Sequence, residues 1–135
     1  MKIITRKDRE MLICAPDCLG KALSLLGEQG FVAMLPAYSK EEMDAMLKSS
    51  KVLIEFGCKE LCLVGAFAIQ MEDELDILLE NSDNLSVVTT SFKDEDEVEA
   101  IEYLIFAAGA AEGKILVILG GGHAGLMNRL IEAWA

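Results

Sequence analysis

Gly120, Gly122 and Gly125 spell G-x-G-x-x-G where an apolar run, Ile115 to Leu119, gives way to a segment with helical spacing. Glycines so placed let backbone N–H groups come close to an anion, at a helix end whose dipole favours negative charge. A dinucleotide site uses the same fingerprint at the start of a βαβ unit, with an acid about twenty positions on for the ribose. Here the fingerprint lies close to residue 135 and opens no such unit, so only the cradle half of the motif is expected and no cofactor. His123, beside Gly120, Gly121 and Gly122, is the only histidine. Its ordinary titration lies near neutral pH, which suits donation to a bound anion or general acid work. The bland alternative is a strand turned tightly into a packed helix.

Four cysteines fall as two C-x-x-x-C pairs, Cys14 with Cys18 and Cys58 with Cys62. Cys14 closes one expected strand whereas Cys58 precedes another, which sets them about 15 Å or more apart and leaves no metal site expected. Reduced, structural thiols are the simplest reading. The chemical alternative is a reactive thiol at Cys14 or Cys18, since Cys18 would occupy the first turn of a helix, where a thiolate is stabilised.

The elements that must position these residues follow from hydrophobic patterning. Five short runs, Met11 to Ala15, Phe31 to Leu35, Leu61 to Val64, Leu85 to Thr90 and Ile115 to Leu119, have strand length and little polar alternation. Such runs suit parallel strands covered on both faces. Between them lie helical spacings: Leu19, Leu23 and Leu26, capped by Asp17 and stopped by Gly27 or Gly30; then Met43, Met46, Leu47 and Ile54, begun at Ser39 and ended at Gly57. Met71, Leu75, Leu78 and Leu79 mark a third helix, with its turn at Asn81 to Asn84, and Asp94 with Glu97 forms a capping pair for a fourth. Val52 to Phe56 reads as helix rather than strand, because a glycine stop follows it. Arg6 to Arg9 reads as a turn, and Lys2 to Thr5 as either an edge strand or a loose arm.

Strict alternation predicts one α/β domain over residues 1–135, a three-layer α/β/α sandwich around a five-stranded, mainly parallel sheet, doubly wound and Rossmann-like. The expected order of the five runs is the flavodoxin-like 2-1-3-4-5. Ligands of such sheets bind outside the carboxyl ends of the strands. That rule gathers Cys14, Asp17 and Cys18; Tyr38 and Ser39; Gly65 and Phe67; Thr90 and Ser91; and Gly120 to His123. An anion pocket of Gly120, Gly121, Gly122 and His123 is expected, with Asp17, Cys18 and Ser91 as neighbours.

Net charge is −11, and residues 72–102 hold twelve acids against Lys93 alone. Nucleic-acid binding needs clustered cations, so this field argues against it. No run is long and apolar enough for a membrane span, and a cytoplasmic protein is the expectation. The segment Tyr103–Ala111 is apolar nearly all round, and with the helix holding Leu126, Leu130 and Trp134 it either lies deep in the body or forms a homodimer contact.

Several α/β families with chemistry at these strand ends can be tested against the residues. A receiver domain would place an aspartate after the third run, where Gly65 and Ala66 stand. The flavin-phosphate loop of flavodoxins is Ser/Thr-rich, unlike Ala15 to Gly20. Small tyrosine phosphatases need an arginine six places after the cysteine, where Gly20 and Ser24 stand. Cys14 is similar to the phosphorylated cysteine of sugar phosphotransferase subunits in position alone. The sequence supports a small protein that binds an anionic or phosphorylated ligand. The alternatives are a regulatory module that dimerises and uses its acidic face, and a thiol-based transfer protein.

Overall fold

The computed structural model describes residues 1–6, 9–27, 30–84 and 86–134. The elements are β1 (Lys2–Arg6), β2 (Arg9–Cys14), α1 (Leu19–Leu26), β3 (Phe31–Pro36), α2 (Lys40–Glu55), β4 (Cys58–Val64), α3 (Ala68–Asn81), β5 (Val88–Phe92), α4 (Glu97–Phe106), β6 (Lys114–Ile118) and α5 (Ala124–Trp134). Short 3-10 turns occupy Pro16–Cys18, Asp94–Asp96 and Ala108–Ala111.

The sheet has six strands in the order β1-β2-β6-β3-β4-β5. This corrects the expected count of five strands and the expected order, and it decides for the edge-strand alternative at the start of the chain. Lys2–Arg6 adds an antiparallel edge strand to β2, with Arg6 opposite Arg9, while residues 7 and 8 of the expected turn lie outside the described residues. The run at 115–119 does not end the sheet as the flavodoxin-like order requires, but sits between β2 and β3, parallel to both.

Side-chain chemistry explains the placement. In β6, Ile115 and Val117 face one layer of helices while Leu116 and Ile118 face the other, and all four are buried. A strand apolar on both faces belongs inside a parallel sheet. Val-Thr-Thr-Ser-Phe of β5 has no fully buried residue and takes the edge, where Thr89 and Ser91 donate to Asp76 and Glu72 of α3. This strand also begins later than expected, at Val88; Leu85 lies outside the described residues.

Three layers result. Helices α1, α2 and α3 pack on one face through Leu23, Leu26, Met43, Met46, Met71 and Leu75. On the other face, α4 and α5 bring Ile101, Leu104, Ile105, Leu126, Leu130 and Trp134 against Met34, Val64 and Val117. Within the 103–111 segment Leu104, Ile105 and Ala108 are buried in this core and Tyr103 packs against it, while Phe106 is exposed beneath the Arg6 guanidinium, 5.5 Å from its ring centroid. Among the described residues no helix is long and apolar enough to cross a membrane.

Local signals held at several joints. Ser39 caps α2, its hydroxyl accepting the Glu42 N–H at 3.1 Å, and Gly57 follows that helix at φ +93. Gly27 ends α1 at φ +73. Two expected caps are absent. Asp17 lies inside the Pro16–Cys18 turn and makes no cap bond to α1, and the Asp94–Glu97 box does not form, Glu97 bonding instead to the Tyr38 hydroxyl and to Arg129.

Candidate functional site

Inserting β6 beside β3 decides what meets at the carboxyl rim. The chain leaves β3 for α2 on one face and leaves β6 for α5 on the other, so their adjacent ends flank the switch point at which open α/β sheets have their crevice. Glu42, in the first turn of α2, reaches across it, its Oε2 2.6 Å from His123 Nε2. Both side chains are mostly withdrawn from solvent, at 14% exposure for His123 and 22% for Glu42.

Glu42 is anchored twice. Its N–H is bonded to the Ser39 hydroxyl, and its Oε1 accepts the Tyr38 N–H at 2.8 Å. This is a capping box displaced by one residue, and it leaves the second carboxylate oxygen for the histidine. Tyr38 lies against the imidazole, ring centroids 4.9 Å apart and planes tilted by 47°. Its hydroxyl donates to Glu97, which also pairs with Arg129 of α5. Burial, and then the Glu97 carboxylate, push the Tyr38 phenol well above its ordinary range, so it stays a donor.

The conformation of Tyr38 depends on Gly65, which follows β4 at φ +135. A Cβ there would stand 2.4 Å from the Ala37 carbonyl oxygen and 2.9 Å from the Tyr38 nitrogen. Gly65→Ala is therefore expected to cost about 2–4 kcal/mol, from backbone strain plus overpacking, and to displace Tyr38. Urea unfolding measures the first effect and the histidine ring resonances the second; a variant as stable as the parent would refute the close approach.

The glycine loop occupies the same rim. His123 N–H turns back to Gly120 O at 3.3 Å, and the first full helical bond runs from Met127 N–H to His123 O. The exposed amides of Gly121, Gly122, Ala124 and Gly125 have no acceptor among the described residues. None of the four glycines at 120, 121, 122 and 125 has a left-handed φ, and a Cβ on any of them would meet no atom within 4 Å. Neither turn geometry nor internal packing calls for glycine here.

The other expected site residues divide. Asp17 and Cys18 follow β2, next to β6, and Leu119 N–H bonds Cys14 O at 2.9 Å, so these loops are neighbours on one rim. Asp17 is exposed, whereas Cys18 is half-buried against the α1 side of the core. Ser91 does not join them: β5 stands three strands from β6, about 14 Å away, and its hydroxyl is bound to Glu72. Cys14 is 2% exposed, and burial pushes its thiol up to about 11, opposite to the direction a nucleophilic thiol requires. All four cysteines are free, and the described residues contain no group of three or more His, Cys, Asp or Glu able to hold a metal.

Sequence reasoning missed Glu42, Glu97 and Arg129. For Glu42 a signal existed, since Ser39 and Glu42 stand at capping-box spacing. A hollow of about 680 Å³ also opens at the opposite rim, lined by Gly57, Cys58, Lys59, Glu60, Asn84 and Val88. Its one buried acid, Glu60, is already occupied by protein donors.

A family model described as Domain of unknown function (DUF7684) matches residues 14–135, a span that takes in the whole crevice. No curated protein and no solved structure matches the chain.

Proposed function

Because the chain belongs to that family, whose description assigns no activity, its chemistry has to be read from the crevice, and we propose that it binds a small anionic or phosphorylated ligand over Gly120–Gly125. The observation that carries this reading is the row of four exposed amides without acceptors, in a loop whose glycines answer to no need of the fold itself. Donors so grouped at a helix start suit a phosphate or carboxylate.

The opposing effect is the net charge of −11, which repels anions at long range. At physiological salt the screening length is about 8 Å, so donors in direct contact with the ligand outweigh remote carboxylates. The four free thiols fit a reducing compartment such as the cytoplasm.

A thermal-shift screen against inorganic phosphate, nucleotides and sugar phosphates tests the reading. A ligand at about a hundred times its Kd adds about 2.7 kcal/mol, on the order of 10 °C in Tm for a domain of this size. Gly121→Val is the matched control. Open space surrounds that position, so the fold tolerates the side chain while the ligand does not. Silence across all anions, with a solution mass that rises with concentration, would instead favour an assembly module working through its acidic surface.

A further inference from the structure

Resting on the anion site above, we propose that His123 is a phosphoryl acceptor, forming a phosphoramidate at Nδ1 from a donor of the acyl phosphate class. The argument starts from the other nitrogen. A carboxylate only accepts hydrogen bonds, so with Glu42 Oε2 2.6 Å from Nε2 the neutral imidazole keeps its proton there and carries its lone pair on Nδ1. Nδ1 has no hydrogen-bond partner among the described residues, yet it is not among the buried polar atoms left without one, so solvent reaches it.

The ring is also held in place. Glu42 is fixed by Ser39 and by the Tyr38 amide, and the Tyr38 ring flanks the imidazole at 4.9 Å. One nitrogen oriented by a carboxylate and one left free is the arrangement of an activated nucleophile. A histidine serving only to close the crevice would not need its second nitrogen open to solvent.

The step balances without a further reactant. The Nδ1 lone pair attacks phosphorus, the N–P bond forms, and the bond from phosphorus to the acyl oxygen breaks with its electron pair leaving on a carboxylate. That leaving group departs without a proton, which is why an acyl phosphate fits. The ring becomes cationic, and its Nε2 proton is shared with Glu42. Nothing is oxidised or reduced. Glu42 is a positioning residue in this step, acting through the ring.

The test uses the full chain incubated with acetyl phosphate. Intact-mass measurement should show one added phosphoryl group, labile in acid and stable in alkali, and peptide mapping should place it on residue 123. His123→Asn and His123→Gln should both lose it. Glu42→Gln should slow labelling about 100-fold, with partial rescue by Glu42→Asp. An acid-stable adduct, or one retained in both His123 variants, would overturn the proposal. Inorganic phosphate is run in parallel on the wild-type chain. A phosphate thermal shift with no adduct would sink the phosphoryl transfer and leave the binding site standing, whereas neither shift nor adduct would remove both.

Discussion

Glu60→Ala is expected to destabilise the protein by about 2–5 kcal/mol, measured as the loss in urea unfolding free energy. Glu60 is 6% exposed in β4. The register of β3 against β4 slips between Phe31 and Val32, so that Lys59 is the extra residue and Glu60 turns to the α4 side, in line with Cys62 and Val64. There its Oε2 accepts the Tyr103 hydroxyl at 2.5 Å and the Thr90 hydroxyl at 2.9 Å, while Oε1 accepts the Gly109 N–H at 3.1 Å. One side chain thus ties a central strand to the edge strand, to α4 and to the 3-10 turn before β6. Alanine leaves three donors short of an acceptor. Glu60→Gln keeps one acceptor oxygen and should lose less than half as much. An alanine variant within about 1 kcal/mol of the parent would show that water replaces the carboxylate without cost.

The second large effect is alkaline. Burial pushes the Cys14 thiol up from 9.0 to about 11, pushes Cys58 to about 12 and raises Cys62 further. In the unfolded chain these thiols ionise near pH 9, so above that pH the unfolded state binds fewer protons than the folded one. Stability is then intact below pH 9 and falls as pH rises, by about 1.4 kcal/mol per pH unit for each thiol, until each folded pKa is reached. All three thiols act in the same direction, so the decline continues through pH 11. Tyr38 and Tyr103, both raised by burial, steepen the fall where phenols ionise. Thermal melts between pH 7 and 11 should show the decline, and Cys62→Ala should flatten it even though the variant starts less stable. A melting temperature level to pH 10.5 would contradict the burial of these groups.

What was legible in the sequence follows from which forces are local. Ser39, Gly27 and Gly57 mark helix ends because capping and left-handed backbone are settled within a few residues, and all three act as expected. The alternation of strands and helices was equally readable from Phe31–Pro36 and Lys114–Ile118, whose apolar runs have one interpretation in a layered sheet. Strand order was not, because Ile115 and Val117 pair as well with one apolar neighbour as with another. The polarity of Thr89, Thr90 and Ser91 was the available clue that β5, and not β6, takes the edge.

The site was half visible for the same reason. Gly120 to His123 stood out by composition, but the partner of His123 lies 81 residues earlier and is fixed by strand order. In the 2-1-3-4-5 arrangement β6 and β3 would occupy opposite margins, and Glu42 would be an ordinary helix-start acid. Glu97 misled in the opposite sense, since its spacing from Asp94 fits a cap while Tyr38 and Arg129 offer it better partners. Glu60 escaped notice because its strand begins three residues before the apolar run that marked it.

The central position of β6 also bears on how the chain reaches its native state. The ribosome makes β2, β3, β4 and β5 before it makes β6, and until then β2 and β3 have no strand to join them. The nascent chain is left with two partial ribbons whose facing edges bear unsatisfied amides and carbonyls, the kind of intermediate that recruits chaperones or pairs with a neighbour. Folding must wait for the sixth strand to slot into the gap. The emergence of β6 and of the loop behind it, through residue 123, then sets the earliest moment at which His123 and Glu42 can meet, however early β3 and α2 were made.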